Sequence, residues 1–104
     1  MKIFRKLIRD RIPEIIAANG EKATTRVLND AEFVTALENK LLEEVQEMRA
    51  NKAERKMEIA DIYEVLDALI ATYGFSKEEI WELQMKKRQE RGGFDRRLFL
   101  EGTE

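Results

Sequence analysis

The most constraining feature of this chain is its most apolar stretch, residues 58–70, because acidic side chains interrupt it at every third position. These acids are Glu58, Asp61, Glu64 and Asp67. Residues three apart on a helix lie about 5–6 Å apart at Cβ, so Glu58 and Asp61 are predicted to be neighbours. At about 100° per residue Asp67 points away from Glu58. We therefore expect Glu64 and Asp67 to pair with arginines or to face a neighbouring subunit.

A second acidic cluster lies upstream, where Glu43, Glu44 and Glu47 fall within about 100° of helical arc. Such like-charge pairs each cost roughly 0.2–0.5 kcal/mol, and Lys40 offsets only Glu43 and Glu44. If the two helices pack antiparallel, both clusters face each other, and buried carboxylates need cations to stay ionised. This pattern favours a carboxylate metal site over a simple solvated face.

The amino-acid composition restricts which metal such a site can hold. The 104 residues include no histidine and no cysteine, which excludes imidazole and thiolate ligands, disulfides and histidine-based catalysis. Oxygen ligands favour hard cations such as Mg²⁺ or Mn²⁺. The absence of cysteine also fits a reducing compartment, and the length suits one domain over residues 1–104.

Charge is distributed unevenly along the chain, although the formal net charge is only −2. Residues 1–11 hold five cations and one acid, residues 86–97 hold six cations and two acids, and residues 38–67 hold nine acids and five cations. An acidic centre with basic ends suits a site that binds a metal and a small polyanion together, and a nucleic-acid polymer is not expected. Without a secretory signal or an apolar run near the ~20 residues of a membrane span, we expect a cytoplasmic protein.

Hydrophobic periodicity and capping residues predict four helices. The first has Asp10 as its cap and Pro13 in its first turn, and the second begins at Asn29 or Asp30 and ends near residue 50. The apolar stripe of the second helix comprises Phe33, Leu37, Leu41, Val45 and Met48. The third helix covers residues 53–73, and the fourth begins after Ser76, with Glu79 completing a capping box, and ends at Gly92-Gly93.

These elements predict an all-α, four-helix domain around a central antiparallel helical hairpin, formed by the second and third helices. The third helix is apolar around most of its circumference, as Ile62, Val65, Leu66 and Leu69 show, so burial on more than one side is expected. Residues 22–28 are β-prone, and the fold allows a small two-stranded ribbon between them and residues 96–100.

The acidic pattern Glu43-Glu44-x-x-Glu47 followed by Glu58-x-x-Asp61 resembles the signature of the all-α nucleoside triphosphate pyrophosphohydrolases. That group includes MazG, the dimeric dUTPases and phosphoribosyl-ATP pyrophosphohydrolase. The segments Lys6-Leu-Ile-Arg9-Asp10-Arg11-Ile-Pro13 and Arg91-Gly-Gly-Phe94 resemble its small phosphoribosyl-ATP pyrophosphohydrolase-like branch. One departure is the spacing between Glu47 and Glu58, whose ten residues lie at or below the short end of the family pattern.

The resemblance implies Mg²⁺-dependent hydrolysis of a nucleoside triphosphate or phosphoribosyl nucleotide between its α and β phosphates, giving a monophosphate and pyrophosphate. It implies Glu44, Glu47, Glu58 and Asp61 as metal ligands, and a homodimer or homotetramer. Glu43, or one of the metal-binding glutamates, is the expected base, and Lys6, Arg9, Arg91 and Arg96 are expected to hold phosphates. The Gly-Gly after Arg91 suits either an anion site or an ordinary helix end.

A function of another class stays open at this point. A non-catalytic helical module would use the basic ends to bind a polyanion or a protein partner, and it would need no divalent metal. Such a module predicts strongly salt-dependent binding without turnover.

Overall fold

The computed structural model describes residues 2–104, and within them the chain forms four α-helices. These are α1 (Ile12–Ala18), α2 (Asp30–Ala50), α3 (Arg55–Thr72) and α4 (Lys77–Arg91), with a 3₁₀ turn at Lys52–Glu54 between α2 and α3. The predicted all-α class is confirmed, and the helices follow the predicted order.

The capping residues explain where two of these helices begin. Asn29 Oδ1 accepts a hydrogen bond from Glu32 N at 2.9 Å, and Glu32 Oε1 accepts one from Asn29 N at 3.2 Å, which forms a complete capping box for α2. Ser76 Oγ accepts a hydrogen bond from Glu79 N at 3.1 Å and caps α4. The reciprocal bond from the Glu79 side chain, expected for a capping box, is not formed within residues 2–104.

The predicted cap of α1 is wrong. The residue before α1 is Arg11, whose side chain makes no capping hydrogen bond, and Asp10 lies one position further out. A backbone hydrogen bond from Ile12 N to Arg9 O at 3.1 Å closes this turn instead. Pro13 does lie in the first turn, where its missing N–H needs no partner.

The predicted β ribbon is also wrong, because residues 2–104 contain no strand. Residues 22–28 lead into α2 as an exposed segment, in which Val27 is 97% exposed and the Arg26 side chain bonds Glu32 of the capping box. The apolar side chains Leu98, Phe99 and Leu100 are exposed as well. β-prone residues form a strand only where a partner strand and an apolar surface are present. Residues 22–28 and residues 96–100 do not pair with each other, so neither segment forms a strand.

The core lies between α2 and α3. Its buried apolar residues are Leu37 from α2 and Val65 and Leu69 from α3, with Leu7, Phe33, Leu41 and Ala68 packed against them. Near the connection, Arg55 Nε donates a hydrogen bond to Met48 O at 3.1 Å, which satisfies a carbonyl that the end of α2 leaves free. All of the buried residues within residues 2–104 belong to these two helices.

The rest of the chain is far more open. Helix α4 contributes no buried residue, and Trp81 in it is 60% exposed. The radius of gyration is 18.1 Å, against about 13 Å for a compact chain of 100 residues. The chain is therefore elongated, with α4 and the residues after it extending from the α2–α3 pair.

Crossing a bilayer requires a helix of a length and hydropathy that none of the helices within residues 2–104 attains.

Candidate metal centre

Two glutamates of the acidic clusters lie at core-facing positions of their helices. Glu44 follows Leu37 by seven residues and Glu58 precedes Val65 by seven, and residues seven apart differ by only about 20° around a helix. Both acids are therefore carried to the α2–α3 interface, where Glu44 is 5% exposed and Glu58 is 8% exposed. Acidic side chains are almost never buried this fully unless they are paired.

The two buried glutamates form a cluster with Glu47, which is exposed and lies one turn after Glu44 on α2. Each of the three can offer one carboxylate oxygen, and these oxygens all lie within 4.8 Å of one another. The Oε2 atoms of Glu44 and Glu58 are buried and have no hydrogen-bond partner within residues 2–104. Buried oxygens without partners are costly, so this three-glutamate cluster calls for a proton or a cation.

The electrostatics of the cluster agree with that requirement. A hydrogen bond to Glu44, burial, and the charges of Glu44, Glu47 and Asp61 together raise the pKa of Glu58 to about 7. Close to neutral pH, Glu58 therefore exchanges readily between a protonated and an ionised form. A cation placed among the three carboxylates would favour the ionised form and release the proton.

Lys40 supplies part of the balancing charge, as predicted. Its Nζ lies 3.4 Å from Glu44 Oε1 and 3.7 Å from Glu43 Oε1, and its side chain is only 21% exposed. Lys40 thus pairs with Oε1 of Glu44, while Oε2 stays buried without a hydrogen-bond partner within residues 2–104. Glu43, the predicted base, is half-buried beside the cluster and is not one of its three members.

Asp61, the fourth predicted ligand, is placed differently. Its Oδ1 accepts a hydrogen bond from Arg9 Nη2 at 2.7 Å, and it is not one of the three clustered acids. Glu64 lies 3.7 Å from Arg9 Nη1, which is the arginine pairing expected for it, whereas Asp67 pairs with a lysine, Lys77, at 3.2 Å.

The four predicted phosphate ligands are divided between the two ends of the chain. Lys6 Nζ lies 5.5 Å from the centre of the Phe4 ring, and Arg9 is engaged with Asp61 and Glu64. Arg91 is the last residue of α4 and Arg96 follows it, and neither forms an ion pair within residues 2–104. The structure brings the three clustered glutamates together but does not join these cations to them.

The geometry of Gly92-Gly93 distinguishes the two roles expected for this segment, an anion site and an ordinary helix end. Gly92 has a φ of +84° and its N–H donates to Arg88 O at 2.8 Å, so it ends α4 as an ordinary cap. That amide is consequently not directed at an anion. The Arg88 guanidinium lies against Gly93, where a Cβ would approach it to 2.9 Å, so a side chain there would displace Arg88.

Sequence reasoning missed the pairing of Arg9 with Asp61, although a signal for it was present. After Lys56, the next cation along the chain is Lys77, while four acids lie between them. Any ion pair of these acids therefore involves a cation from another segment of the chain. Residues 1–11, which hold five cations, are such a segment. The sequence allows Lys6, Arg9 and Arg11 to be solvated or to balance the acidic helices, and it also predicts phosphate binding by Lys6 and Arg9. It does not identify Asp61 as the partner of Arg9, because a guanidinium–carboxylate contact between distant residues has no local spacing rule.

Comparisons with known proteins add little to this geometry. No family model matches the chain, and no solved structure matches it. The chain is similar to an uncharacterized protein of Mycolicibacterium smegmatis, with 53% identity over 45 residues. The matched segment is 43% of this chain and spans about half, 46%, of the length of that relative.

Proposed function

We propose that the protein is a Mg²⁺-dependent nucleotide pyrophosphohydrolase that cleaves between the α and β phosphates and gives a monophosphate and pyrophosphate. The observation that carries the proposal is the three-glutamate cluster with two buried oxygens that lack partners. The resemblance of the acidic pattern to the MazG-like enzymes supports it independently of the geometry. In this proposal α2 and α3 are the antiparallel hairpin of a MazG-like domain.

The residues present fit a hard divalent cation, because every available ligand is a carboxylate and two of them are buried with an oxygen free. Glu44, Glu47 and Glu58 would hold the cation, with Asp61, one turn after Glu58, as the fourth ligand. A bound Mg²⁺ or Mn²⁺ neutralises phosphate charge and lowers the pKa of a water molecule.

The remaining work falls to residues of the chain around the cluster. Glu43 is half-buried next to Glu44 and orients or deprotonates the attacking water, a role that no histidine can take in this chain. Glu47 is exposed and marks the side of the cluster that is open to solvent, from which a nucleotide approaches. Lys6, Arg9, Arg91 and Arg96 hold the phosphates through charge-assisted hydrogen bonds.

The same proposal includes a homodimer or homotetramer. Ile62, Val65, Leu66 and Leu69 are the α3 residues whose expected burial on more than one side favours self-association. Val65 and Leu69 are buried in the core between α2 and α3, so they do not carry this part of the proposal. It rests instead on large apolar side chains of α3 and α4 that stay exposed, which are Met57, Ile59, Tyr63, Leu66, Ile80, Trp81 and Leu83. Monomeric proteins rarely expose so much apolar surface, and a symmetric second copy is the simplest cover.

A hydrolysis screen with pyrophosphate detection tests the activity. Standard, damaged and alarmone-like nucleotides and phosphoribosyl nucleotides are offered with Mg²⁺ or Mn²⁺. We expect turnover of at least one nucleotide, and a loss of more than about 100-fold in Glu47→Gln, since even residues that only support metal ligands cost about 10–100-fold. Glu38→Gln, an exposed charge-matched change on α2, is expected to keep full activity.

The alternative binding module rests on the exposed cations of α4 and the residues after it. It predicts that no nucleotide in the screen is hydrolysed and that a polynucleotide binds with an affinity that falls steeply with salt. Those two results together would replace the enzyme proposal.

A further inference from the structure

The contact between Arg9 and Asp61 joins a cation to a residue that the proposed metal site needs. The guanidinium Nη2 lies 2.7 Å from Asp61 Oδ1, and the Nη1 atom lies 3.7 Å from Glu64 Oε1. Asp61 in turn lies three residues, about one helical turn, after the buried Glu58 on α3. Arg9 thus lies against the part of α3 that carries Asp61 and Glu64, about one to two turns after the buried Glu58.

The N-terminal segment is held in this position by packing as well as by charge. Leu7, two residues before Arg9, is half-buried and packs against the core residues of α2 and α3. Because Leu7 anchors the segment, the position of Arg9 beside α3 does not depend on its ion pair alone. The ion pair between Arg9 and Asp61 can therefore break while the N-terminal segment stays packed against α2 and α3.

We propose that Arg9 is an internal counter-cation that holds Asp61 until a divalent cation takes over the carboxylate, and that the released guanidinium then turns to a phosphate of the nucleotide. This inference rests on the proposed function. It reconciles the contact seen in the structure with the role in phosphate binding that the sequence predicts for Arg9.

The exposure of the pair explains why an exchange is feasible. The side chains of Arg9 and Asp61 are 57% and 38% exposed, so water competes with their contact and the pair is easily broken. A divalent cation held by several carboxylates carries twice the charge of a guanidinium and attracts Asp61 more strongly. Glu64 keeps the released Arg9 beside α3, because it lies within reach of the second guanidinium nitrogen.

Isothermal titration calorimetry with Mn²⁺ alone, without nucleotide, tests the inference through affinity rather than activity. We expect Arg9→Gln to bind Mn²⁺ about three- to tenfold more tightly than the natural sequence, because a competitor for Asp61 and a repelling charge are both removed. Arg11→Gln is the matched control, since Arg11 loses the same charge two residues away and forms no ion pair within residues 2–104. Its affinity for Mn²⁺ should change much less.

A double-variant cycle with Asp61→Asn shows whether the effect passes through Asp61. In the Asp61→Asn background, Arg9→Gln should alter Mn²⁺ affinity by less than about twofold, within the usual error of additivity. An equal gain in both backgrounds would mean that Arg9 acts through general repulsion, and it would overturn the exchange with Asp61.

The remaining outcomes separate this inference from the proposed function. Mn²⁺ binding that disappears in Glu47→Gln but is unchanged or weakened in Arg9→Gln keeps the metal site and overturns the exchange. Absence of Mn²⁺ binding in every protein, Arg9→Gln included, overturns the metal site and the exchange with it. Binding that appears only once Arg9 is replaced supports both.

Discussion

The α2–α3 pair and the region from α4 to the end of the chain both carry large apolar side chains, but they bury them to different extents. Within residues 2–104, all five buried residues lie in the pair, and two of these five are the acids Glu44 and Glu58. From α4 onward no residue is buried, although Trp81, Phe94 and Phe99 are there. One region thus supplies both the core and the candidate site, and the other leaves apolar surface that a single chain does not cover.

Placing two acids in so small a core has a consequence for stability. Apolar side chains at the positions of Glu44 and Glu58 would extend the packing of Leu37, Val65 and Leu69, whereas carboxylates at those positions repel each other. Local conflicts of this kind concentrate at functional sites, where stability is lower than the fold permits. The comparison between the two regions therefore predicts which substitutions change stability, phosphate binding and self-association.

The largest difference should appear when one leucine is shortened in each region. Leu37→Ala removes a side chain that is 3% exposed, and we expect it to lower the free energy of unfolding by about 2–5 kcal/mol. Leu100→Ala removes one that is 78% exposed, and the expected change is below about 0.5 kcal/mol. Denaturant unfolding of both variants measures the two values, and similar losses would show that the final residues are packed as firmly as the core.

The next largest effect separates phosphate binding from metal binding. Replacing Arg91 by Ala should lower catalytic efficiency about ten- to a hundredfold, because one charge-assisted contact contributes about 1.5–3 kcal/mol. Stabilisation by Mg²⁺ should stay unchanged, since the clustered carboxylates are intact. Steady-state kinetics on Arg91→Ala and on the control Lys87→Ala, an exposed lysine of α4, measure the first effect. Equal efficiency in the two variants would mean that Arg91 is only solvated.

A smaller effect concerns the apolar surface of α4. If a second copy covers it, Trp81→Ala should weaken self-association by about tenfold or more, as aromatic side chains at interfaces commonly do. Sedimentation at micromolar concentration gives the dissociation constant for both proteins. A natural sequence that sediments only as a 12.2 kDa species would remove the proposed dimer and leave this surface without a cover.

A further predicted effect is a pH dependence of the metal-free protein. An unperturbed glutamate titrates near 4.5, whereas the pKa of Glu58 in the folded chain is about 7. Between these values the folded chain binds more protons than the unfolded chain, so the free energy of unfolding falls as the pH rises. This contribution is present below the unfolded pKa and is lost as the pH passes the folded pKa.

Comparison of the natural sequence with Glu58→Gln at about pH 5 and pH 8 isolates that contribution. The variant carries a neutral side chain at every pH, so its stability relative to the natural sequence should increase toward pH 8. A difference in stability that is the same at both pH values would mean that Glu58 is ionised in the metal-free fold.

The parts of this structure that follow local rules could be predicted from the sequence. The capping box of Asn29 and Glu32, the cap at Ser76 and the turn at Gly92 depend on residues within a few positions of each other. The three clustered glutamates also follow from helical spacing once α2 and α3 pack together. The pairing of Arg9 with Asp61 joins residues 52 positions apart, and spacing rules do not reach that far.

The wrong β ribbon has the same physical origin. Residues 22–28 have β propensity, but a strand depends on a partner and on an apolar surface, neither of which local composition reveals. The wrong cap at Asp10 shows that a suitable residue type can lie one position before the N-cap, inside a turn that a backbone hydrogen bond closes. Both errors arise because contacts between distant residues or backbone hydrogen bonds decide the local structure. The residue types alone do not reveal these contacts.

The most direct test of the central claim, that the three-glutamate cluster holds a divalent cation, is thermal unfolding with and without Mg²⁺ or Mn²⁺. A cation that binds only the folded chain stabilises it by about 2.7 kcal/mol at a concentration 100 times its dissociation constant, which raises Tm. The account predicts this rise for the natural sequence and for Glu38→Gln, and its disappearance in Glu47→Gln. A rise of the same size in Glu47→Gln, or no rise in the natural sequence at millimolar metal, would contradict it.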